Sequence, residues 1–95
     1  MRNYEIAFIV HPDVDEEALR GLVDKVKSWV TGTGGTAGDV EQWGKRRLSY
    51  PIRKQNDGQY VFLKTEMPPT GTIEVERNLR LNEQVMRFMI TSTDQ

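Results

Sequence analysis

The chain has 95 residues, enough for one domain with its own hydrophobic core and too few for two, so residues 1–95 are expected to form a single domain. With 37% hydrophobic residues, 28% charged residues and a net charge of −1, it has the composition of a soluble globular domain rather than a disordered or fibrous one. No apolar run approaches the roughly 20 residues that span a bilayer, and the lack of cysteine excludes disulfides and thiolate metal sites and fits a reducing cytoplasm.

The first half of the chain predicts a strand followed by a helix. In residues 4–10, YEIAFIV, every second side chain from Tyr4 to Val10 is large and aromatic or β-branched, a pattern typical of a strand. A helix over residues 15–31 follows, because acidic residues lead a run of apolar side chains at helical spacing, with Asp13 or Asp15 as the N-cap. The glycine-rich stretch TGTGGTAG, residues 31–38, then predicts a loop.

The second half predicts a hairpin, a shorter helix and a last strand. Asn56-Asp57-Gly58 is a turn signal between two extended stretches, and Pro51 suits only a strand end or an edge. Apolar side chains four residues apart then indicate the helix. The expected elements are a strand over 40–52, a strand over 59–67, a helix over 70–81 and a strand over 85–92.

The order strand, helix, strand, strand, helix, strand predicts an α+β fold, the ferredoxin-like sandwich with a four-stranded antiparallel sheet. In that fold the first and third strands lie in the centre, and both helices cover one face of the sheet and leave the other open. Alternation along the strands predicts an exposed apolar patch among arginines on the open face, and such patches mark partner sites. Its predicted members are Ile9, Arg47, Tyr60, Phe62, Arg87 and Met89.

Three patterns resemble chemical motifs but have simpler explanations. Residues 32–37 match a dinucleotide-binding glycine pattern, yet they follow a helix and precede a strand, the reverse of the phosphate-cradling order. Asp13, Asp15 and Glu17 begin like an EF-hand loop that lacks its glycine, so helix capping explains them. His11 has no second histidine or cysteine with which to share a metal. We therefore expect no cofactor, no metal and no enzyme activity.

One stretch concentrates positive charge. GKRRLSYPIRK, Gly44 to Lys54, carries five cations and no carboxylate, and residues 39–55 hold five Lys/Arg against two Asp/Glu, a net charge of +3. An edge strand kept from self-pairing by its charge is one explanation. A row of phosphate-binding cations flanked by stacking-capable Trp43 and Tyr50 is the other. Composition alone does not decide between them.

Alternation within this stretch predicts which side chains face the core. Arg47 is expected to face outward, whereas Arg46 turns outward only if Gly44 marks a bulge. The following strand, which contains DGQYVFLK, lacks the order of basic, aromatic and glycine residues in the RNP1 motif. If the chain binds RNA, it does not use the sheet motif of RNP1 proteins. The residues expected on the core side are Leu48, Tyr50 and Ile52.

Several segments together resemble the bacterial small-subunit ribosomal proteins of the S-six family. They are MRNYEIAFIV, WGKRRLSYPIRK, DGQY and LRLNEQVMRFMIT, and the resemblance covers about residues 2–92. The most specific matches are Gly44, Arg46-Arg47-Leu48, Tyr50-Pro51-Ile52, Lys54, Gly58 and Tyr60. The resemblance implies a ferredoxin-like fold and a structural role in the cytoplasmic ribosome. It also implies binding to the central domain of the small-subunit ribosomal RNA together with the S-eighteen ribosomal protein, as a heterodimer.

The resemblance also suggests which side chains touch RNA. Arg46, Arg47 and Lys54 stand where the family has them, and nearby cations add further RNA-binding candidates, namely Arg2, Lys45, Arg53 and Arg87. The candidates for stacking or for contact with the partner protein are Trp43, Tyr50, Tyr60, Phe62 and Met89. A near-neutral chain with few phosphate contacts is expected to bind RNA weakly alone, so a basic partner would supply the missing charge.

Two other classes of function are compatible with the residues alone. One is a homodimeric ligand-binding or regulatory module of the same fold that uses the open sheet face. The other is a small-anion hydrolase of the acylphosphatase type. Such a hydrolase needs a phosphate-cradling glycine loop directly after the first strand, where this chain has the acidic HPDVD, which would repel an anion.

Overall fold

The computed structural model of the chain describes residues 1–94. Its helices and strands are, in chain order, β1 (Arg2–Val10), α1 (Glu16–Gly32), β2 (Thr36–Ile52), β3 (Gln55–Met67), α2 (Gly71–Leu81) and β4 (Val85–Ser92). The four strands pair antiparallel in the order β2-β3-β1-β4, with β1 and β3 in the centre. The predicted ferredoxin-like fold is therefore confirmed.

The hydrophobic core lies between the sheet and the two helices. Alternate side chains of the central strands are buried, as their period of two requires. They meet the apolar stripes of α1 and α2, and burying one large apolar side chain stabilises the fold by about 1.5–3 kcal/mol. Fully or almost fully buried members of this core are Ile6, Phe8, Val10, Val26, Val30, Val61, Leu63, Met67, Val75 and Leu79.

Helix capping accounts for the acidic residues before and within the first turn of α1. Asp15 is the N-cap, and its Oδ1 accepts a hydrogen bond from the backbone N–H of Ala18 at 2.7 Å. Glu16 and Glu17 follow in the first turn, where negative charge offsets the positive end of the helix dipole. Of the two predicted N-caps, Asp13 and Asp15, Asp15 is the one that caps the helix. None of the helices among residues 1–94 is long and apolar enough to cross a membrane.

The glycine-rich stretch over residues 31–38 forms a shorter loop than predicted. Only three residues separate the end of α1 from the start of β2. Gly34 has a φ of 90°, which favours glycine, and Gly35 lies against the neighbouring strand. A Cβ atom on Gly35 would lie 2.4 Å from the backbone carbonyl oxygen of Glu66. These two glycines let β2 begin pairing with β3 immediately after the helix.

The β2–β3 hairpin turns at Arg53-Lys54, so the predicted turn at Asn56-Asp57-Gly58 is wrong. Both turn residues have positive φ, 51° and 65°, which is the backbone of a type I′ turn whose twist matches that of the flanking strands. Gly58 instead lies within β3, where a Cβ would be 2.4 Å from Cγ2 of Ile9. That glycine permits a close approach inside the sheet and does not form a turn.

Replacing the turn by the pair that its backbone favours should stabilise the protein. A residue other than glycine at positive φ costs about 1–2 kcal/mol, and Asn-Gly is the preferred type I′ pair. The double substitution Arg53→Asn/Lys54→Gly is expected to raise the unfolding free energy by roughly 1 kcal/mol in urea denaturation. The control Arg53→Ala/Lys54→Ala removes the same side chains and keeps the unfavourable φ values, so an equal gain in both variants would contradict the explanation.

Register shifts along β2 decide which way its side chains point. One shift lies just before Gly44, which has a φ of 73° and pairs with Tyr60. Arg46 therefore lies on the open face, as expected for a bulge at Gly44. Arg47 pairs with Asp57 and lies on the opposite side, so its predicted place on the open face is wrong.

A second register shift along β2 shows that Leu48, Tyr50 and Ile52 do not face the main core as predicted. Four residues of β2, 48–51, stand opposite a single residue of β3, so the strand bulges away from the sheet. Leu48 is buried, but it lies outside the main core and beside Ile9 on the open-face side. Tyr50 is 56% exposed and Ile52 only half-buried. None of the three packs into the main core between sheet and helices.

Hydrogen bonds connect the two ends of the described chain, because Asp94 follows β4 and contacts Asn3 near the start of β1. The Asp94 carboxylate accepts hydrogen bonds from the backbone N–H and from Nδ2 of Asn3, both at 2.9 Å. The backbone hydrogen bond has the larger effect and the side-chain hydrogen bond the next largest, and both hold the pKa of Asp94 below its ordinary value. The segment after β4 therefore continues along β1 as far as Asn3.

Candidate nucleic-acid interface

The sheet face opposite the helices carries an exposed apolar groove. The strand register builds it, because Ile9 lies between Tyr60 and Arg87, and Ala7 lies between Phe62 and Met89. A cavity of about 240 Å³ lies along these residues. Met89 is 64% exposed although its side chain is apolar. We call this surface, comprising Ile9, Tyr60, Phe62, Arg87 and Met89, the open-face groove.

Trp43 extends the open-face groove towards the β2 edge. Its ring centroid is 4.7 Å from that of Phe62 and 6.3 Å from that of Tyr60. The indole Nε1 donates to Oε1 of Glu41 at 2.7 Å, and the guanidinium of Arg46 lies 5.8 Å from the ring centroid. The bulge before Gly44 thus brings an indole and a guanidinium together in a cation–π geometry, with the indole still half-exposed.

Tyr50 and Arg87 link the hairpin to β4 at the end of the groove. The Arg87 guanidinium lies 5.7 Å from the Tyr50 ring centroid, and its Nη1 donates to the Tyr50 hydroxyl. The contact involves no carboxylate, so it orients the guanidinium without pairing its charge. The exposed position of Tyr50, which sequence alternation did not predict, is what makes the contact possible.

The predicted cations of the hairpin lie on three sides of it. Arg46 lies on the open face, whereas Lys45 and Arg47 pair with Gln59 and Asp57 and lie on the helix side. Arg53 and Lys54 form the tip, where Nη1 of Arg53 donates to the backbone carbonyl of Glu83 at 3.2 Å. All five are exposed. The hairpin is therefore a positively charged projection rather than a flat basic surface.

Arg2 does not join these cations. It pairs with Met67 at the far end of β1, seven positions from Ile9, a distance of about 23 Å at 3.3 Å per residue.

The sequence did not indicate Arg80 as a site residue, yet its guanidinium lies 5.9 Å from the Phe88 ring centroid. Its spacing from Glu76 indicates only an ion pair along the helix, so nothing in the local pattern placed it beside β4.

Among residues 1–94, no three His, Asp or Glu side chains come together in a way that could hold a metal ion. The exposed groups at this end of the molecule include aromatic rings, apolar side chains and the cationic groups of Arg46, Arg53 and Lys54. Together these groups can stack on bases, bind phosphates and pack against another protein.

A family model described as ribosomal protein S6 matches residues 3–92. The chain belongs to the ribosomal protein S6 family. Members of this family are structural proteins of the bacterial small ribosomal subunit, in the cytoplasmic ribosome, and are not enzymes. The family that the sequence resembles is thereby confirmed, as is the prediction that the chain is not an enzyme.

Named members of the S6 family match nearly the whole chain. The small ribosomal subunit protein bS6 of Clostridium novyi (strain NT) is 40% identical over 94 residues, 99% of each chain. That of Moorella thermoacetica is 38% identical over 95 residues, 100% of this chain and 97% of the relative. Both matches therefore extend well beyond the basic hairpin.

Solved structures agree on the fold. The crystal structure of 30S ribosomal protein S6 from Thermotoga maritima superposes with a TM-score of 0.90 at 30% identity, over 96% of this chain and 86% of that one. The C-terminal domain of the MgtC protein from Mycobacterium tuberculosis covers 100% of this chain and 90% of its own, with a TM-score of 0.53 at 12% identity. The second likeness concerns the fold alone.

Proposed function

We propose that the chain binds the central domain of the small-subunit ribosomal RNA as a heterodimer with the S-eighteen ribosomal protein, residues 1–95 acting as one domain. The observation that carries the proposal is the meeting of an exposed apolar groove and a basic hairpin at one end of the sheet. An RNA site needs cations, and a protein partner needs apolar area. This end of the sheet offers both side by side.

The open-face groove is the proposed surface for the S-eighteen protein. Interface cores are enriched in aromatic residues and methionine, and the groove with its extension contains Trp43, Tyr60, Phe62 and Met89. A protein that worked alone would leave the apolar surface of Met89 and Trp43 in water without benefit. Tyr50 borders the groove through Arg87 and belongs to the same proposed surface.

The hairpin cations are the proposed RNA contacts. Each phosphate that a cation neutralises releases counterions and lowers the slope of log K against log salt by about 0.7–0.9. The chain as a whole has a net charge of −1, so the few contacts of the hairpin would give weak binding alone. A basic partner on the adjacent groove would add charge where it is needed. The proposed contacts are Lys45, Arg46, Arg47, Arg53, Lys54 and Arg87, with Arg2 touching a separate stretch of RNA.

The double substitution Arg46→Ala/Arg47→Ala tests the RNA assignment. We expect weaker binding to a central-domain RNA fragment in the presence of the S-eighteen protein, and a salt slope reduced in magnitude by about 1.4–1.8, measured by filter binding at several salt concentrations. The melting temperature should change little, because both side chains are exposed. The matched control is Arg20→Ala/Lys25→Ala on the helix face, where both side chains are also exposed. Equal effects of the two pairs, or none from the first, would refute the assignment.

A further inference from the structure

A second cavity lies at the outer edge of β4. Its volume is about 270 Å³, slightly below the roughly 300–1,000 Å³ of pockets for drug-sized ligands. Three arginines from three separate elements line it, Arg53 of the hairpin turn, Arg80 of α2 and Arg87 of β4. Its other walls are Leu79, Val85, Met86 and Phe88. We call it the three-arginine pocket.

Each guanidinium of the three-arginine pocket is already oriented. Arg53 donates to the backbone carbonyl of Glu83 at 3.2 Å, and Arg87 donates to the Tyr50 hydroxyl. Arg80 lies against the Phe88 ring and donates from Nη2 to Oε1 of Glu76 at 2.6 Å. A guanidinium has five N–H donors, so each arginine keeps several for a ligand. The side chains are held in place before a ligand arrives, which lowers the entropy lost on binding.

The charge of the three-arginine pocket favours an anion. Within the described chain, residues 1–94, no carboxylate lines the cavity, and Glu76 is the one carboxylate that forms an ion pair with any of the three arginines. The C-terminal end of α2 adds about half a negative charge, which is too little to cancel the two arginines without an acidic partner. Planar guanidinium groups suit phosphate oxygens because they can donate two parallel hydrogen bonds.

We propose that the three-arginine pocket binds a backbone phosphate of the ribosomal RNA, which makes Arg80 a further RNA-binding residue. This inference rests on the proposed function. Arg53 and Arg87 belong to both the pocket and the proposed RNA contacts, and Lys54 is adjacent to Arg53 at the exposed hairpin tip. An RNA strand that follows the hairpin tip therefore reaches the pocket directly. A carboxylate of the partner protein is the competing occupant.

Arg80→Gln tests the pocket. We expect the magnitude of the salt slope of RNA binding, measured with the S-eighteen protein present, to fall by about 0.7–0.9, the share of one phosphate contact. Arg77→Gln is the matched control, because Arg77 is exposed on the same helix and does not line the pocket. Arg20→Gln removes a second exposed i,i+4 pair, with Glu16 at 4.0 Å against 2.6 Å for Glu76 and Arg80, and its melting temperature shows how little such a pair contributes to stability.

Glu76→Gln gives the opposite result if the inference holds. It removes the carboxylate that competes with phosphate for Arg80, so RNA affinity should rise. A purely structural Glu76–Arg80 pair predicts that the two variants weaken binding alike, which would overturn the proposal.

Three further outcomes would overturn it. If Arg80→Gln leaves the slope unchanged while Arg46→Ala/Arg47→Ala reduces it, the pocket fails and the proposed function stands; if neither changes the slope, both fail. If Arg80→Gln weakens binding to the S-eighteen protein in the absence of RNA, the occupant is a partner carboxylate.

Discussion

Replacing Gly35 by alanine is expected to lower the unfolding free energy by about 2–4 kcal/mol in urea denaturation. The new Cβ would lie 2.4 Å from the Glu66 carbonyl oxygen and 2.6 Å from the Met67 Cβ. Neither atom can move by a side-chain rotation, because one belongs to the β3 backbone and the other is attached directly to it. β2 would have to separate from β3 where their pairing begins, at Thr36 and Glu66.

Gly32→Ala is the matched control for this prediction. Gly32 is the last residue of α1, and a Cβ there would meet nothing within 4 Å. Alanine is a better helix former than glycine by up to about 1 kcal/mol, so the control should be neutral or slightly stabilising. A similar loss in both variants would show that the glycine-rich stretch needs flexibility in general. A loss in Gly35→Ala alone identifies close packing against β3 as the cause.

The substitution Met89→Asp is expected to weaken the proposed association with the S-eighteen protein by at least about 100-fold, or ~2.7 kcal/mol. An unpaired carboxylate in the centre of an apolar interface loses its hydration without gaining a partner, which costs several kcal/mol. Stability of the isolated chain should change little, because the Met89 side chain is already 64% exposed. Titration calorimetry with the purified partner measures the loss.

Ile73→Asp provides the control for this surface. Ile73 is also a largely exposed apolar residue, at 71%, but it lies in the first turn of α2 on the helix side of the molecule. An acidic residue is favourable in that turn, so the variant should fold and bind the partner normally. Unchanged partner affinity in Met89→Asp would exclude the open-face groove as the binding surface. A homodimer that Met89→Asp dissociates, without any affinity of the parent chain for the S-eighteen protein, would favour the homodimeric module instead.

The sequence predicted the fold because the fold depends on periodic patterns that tolerate local error. The helical spacing of Leu22, Val26 and Val30 and the alternation in β1 and β3 survive a shift of a residue or two at an element's end. The bounds of β4 were predicted without error and those of α2 to within one residue. The open-face positions of Ile9, Tyr60, Phe62, Arg87 and Met89 were predicted for the same reason, since the β1–β4 register is regular from Ala7 to Ile9 and shifts only beyond Ile9.

The directions of the side chains in β2 were harder to predict, because a single irregularity in the strand moves every residue that follows to the other face of the sheet. Four residues of β2 stand opposite one of β3 near the hairpin turn, and no local composition marks where such an excess is placed. The direction of Arg47 follows from the shift just before Gly44, and the exposure of Tyr50 follows from the excess near the turn. Gly58 is a turn signal by composition, yet its role depends on the closeness of Ile9, which is distant in sequence.

By itself, then, the sequence determined the element order, the central strands, the core and the concentration of cations in one hairpin. Only the tertiary structure decided which of those cations share a surface. Arg46 reaches the open face through a bulge, Arg2 lies at the other end of the sheet, and Arg80 meets Arg53 and Arg87 across three elements. The physical reason is that core packing needs only the right period, whereas a binding site needs side chains brought together by register, twist and turn geometry, which are set by contacts between distant strands.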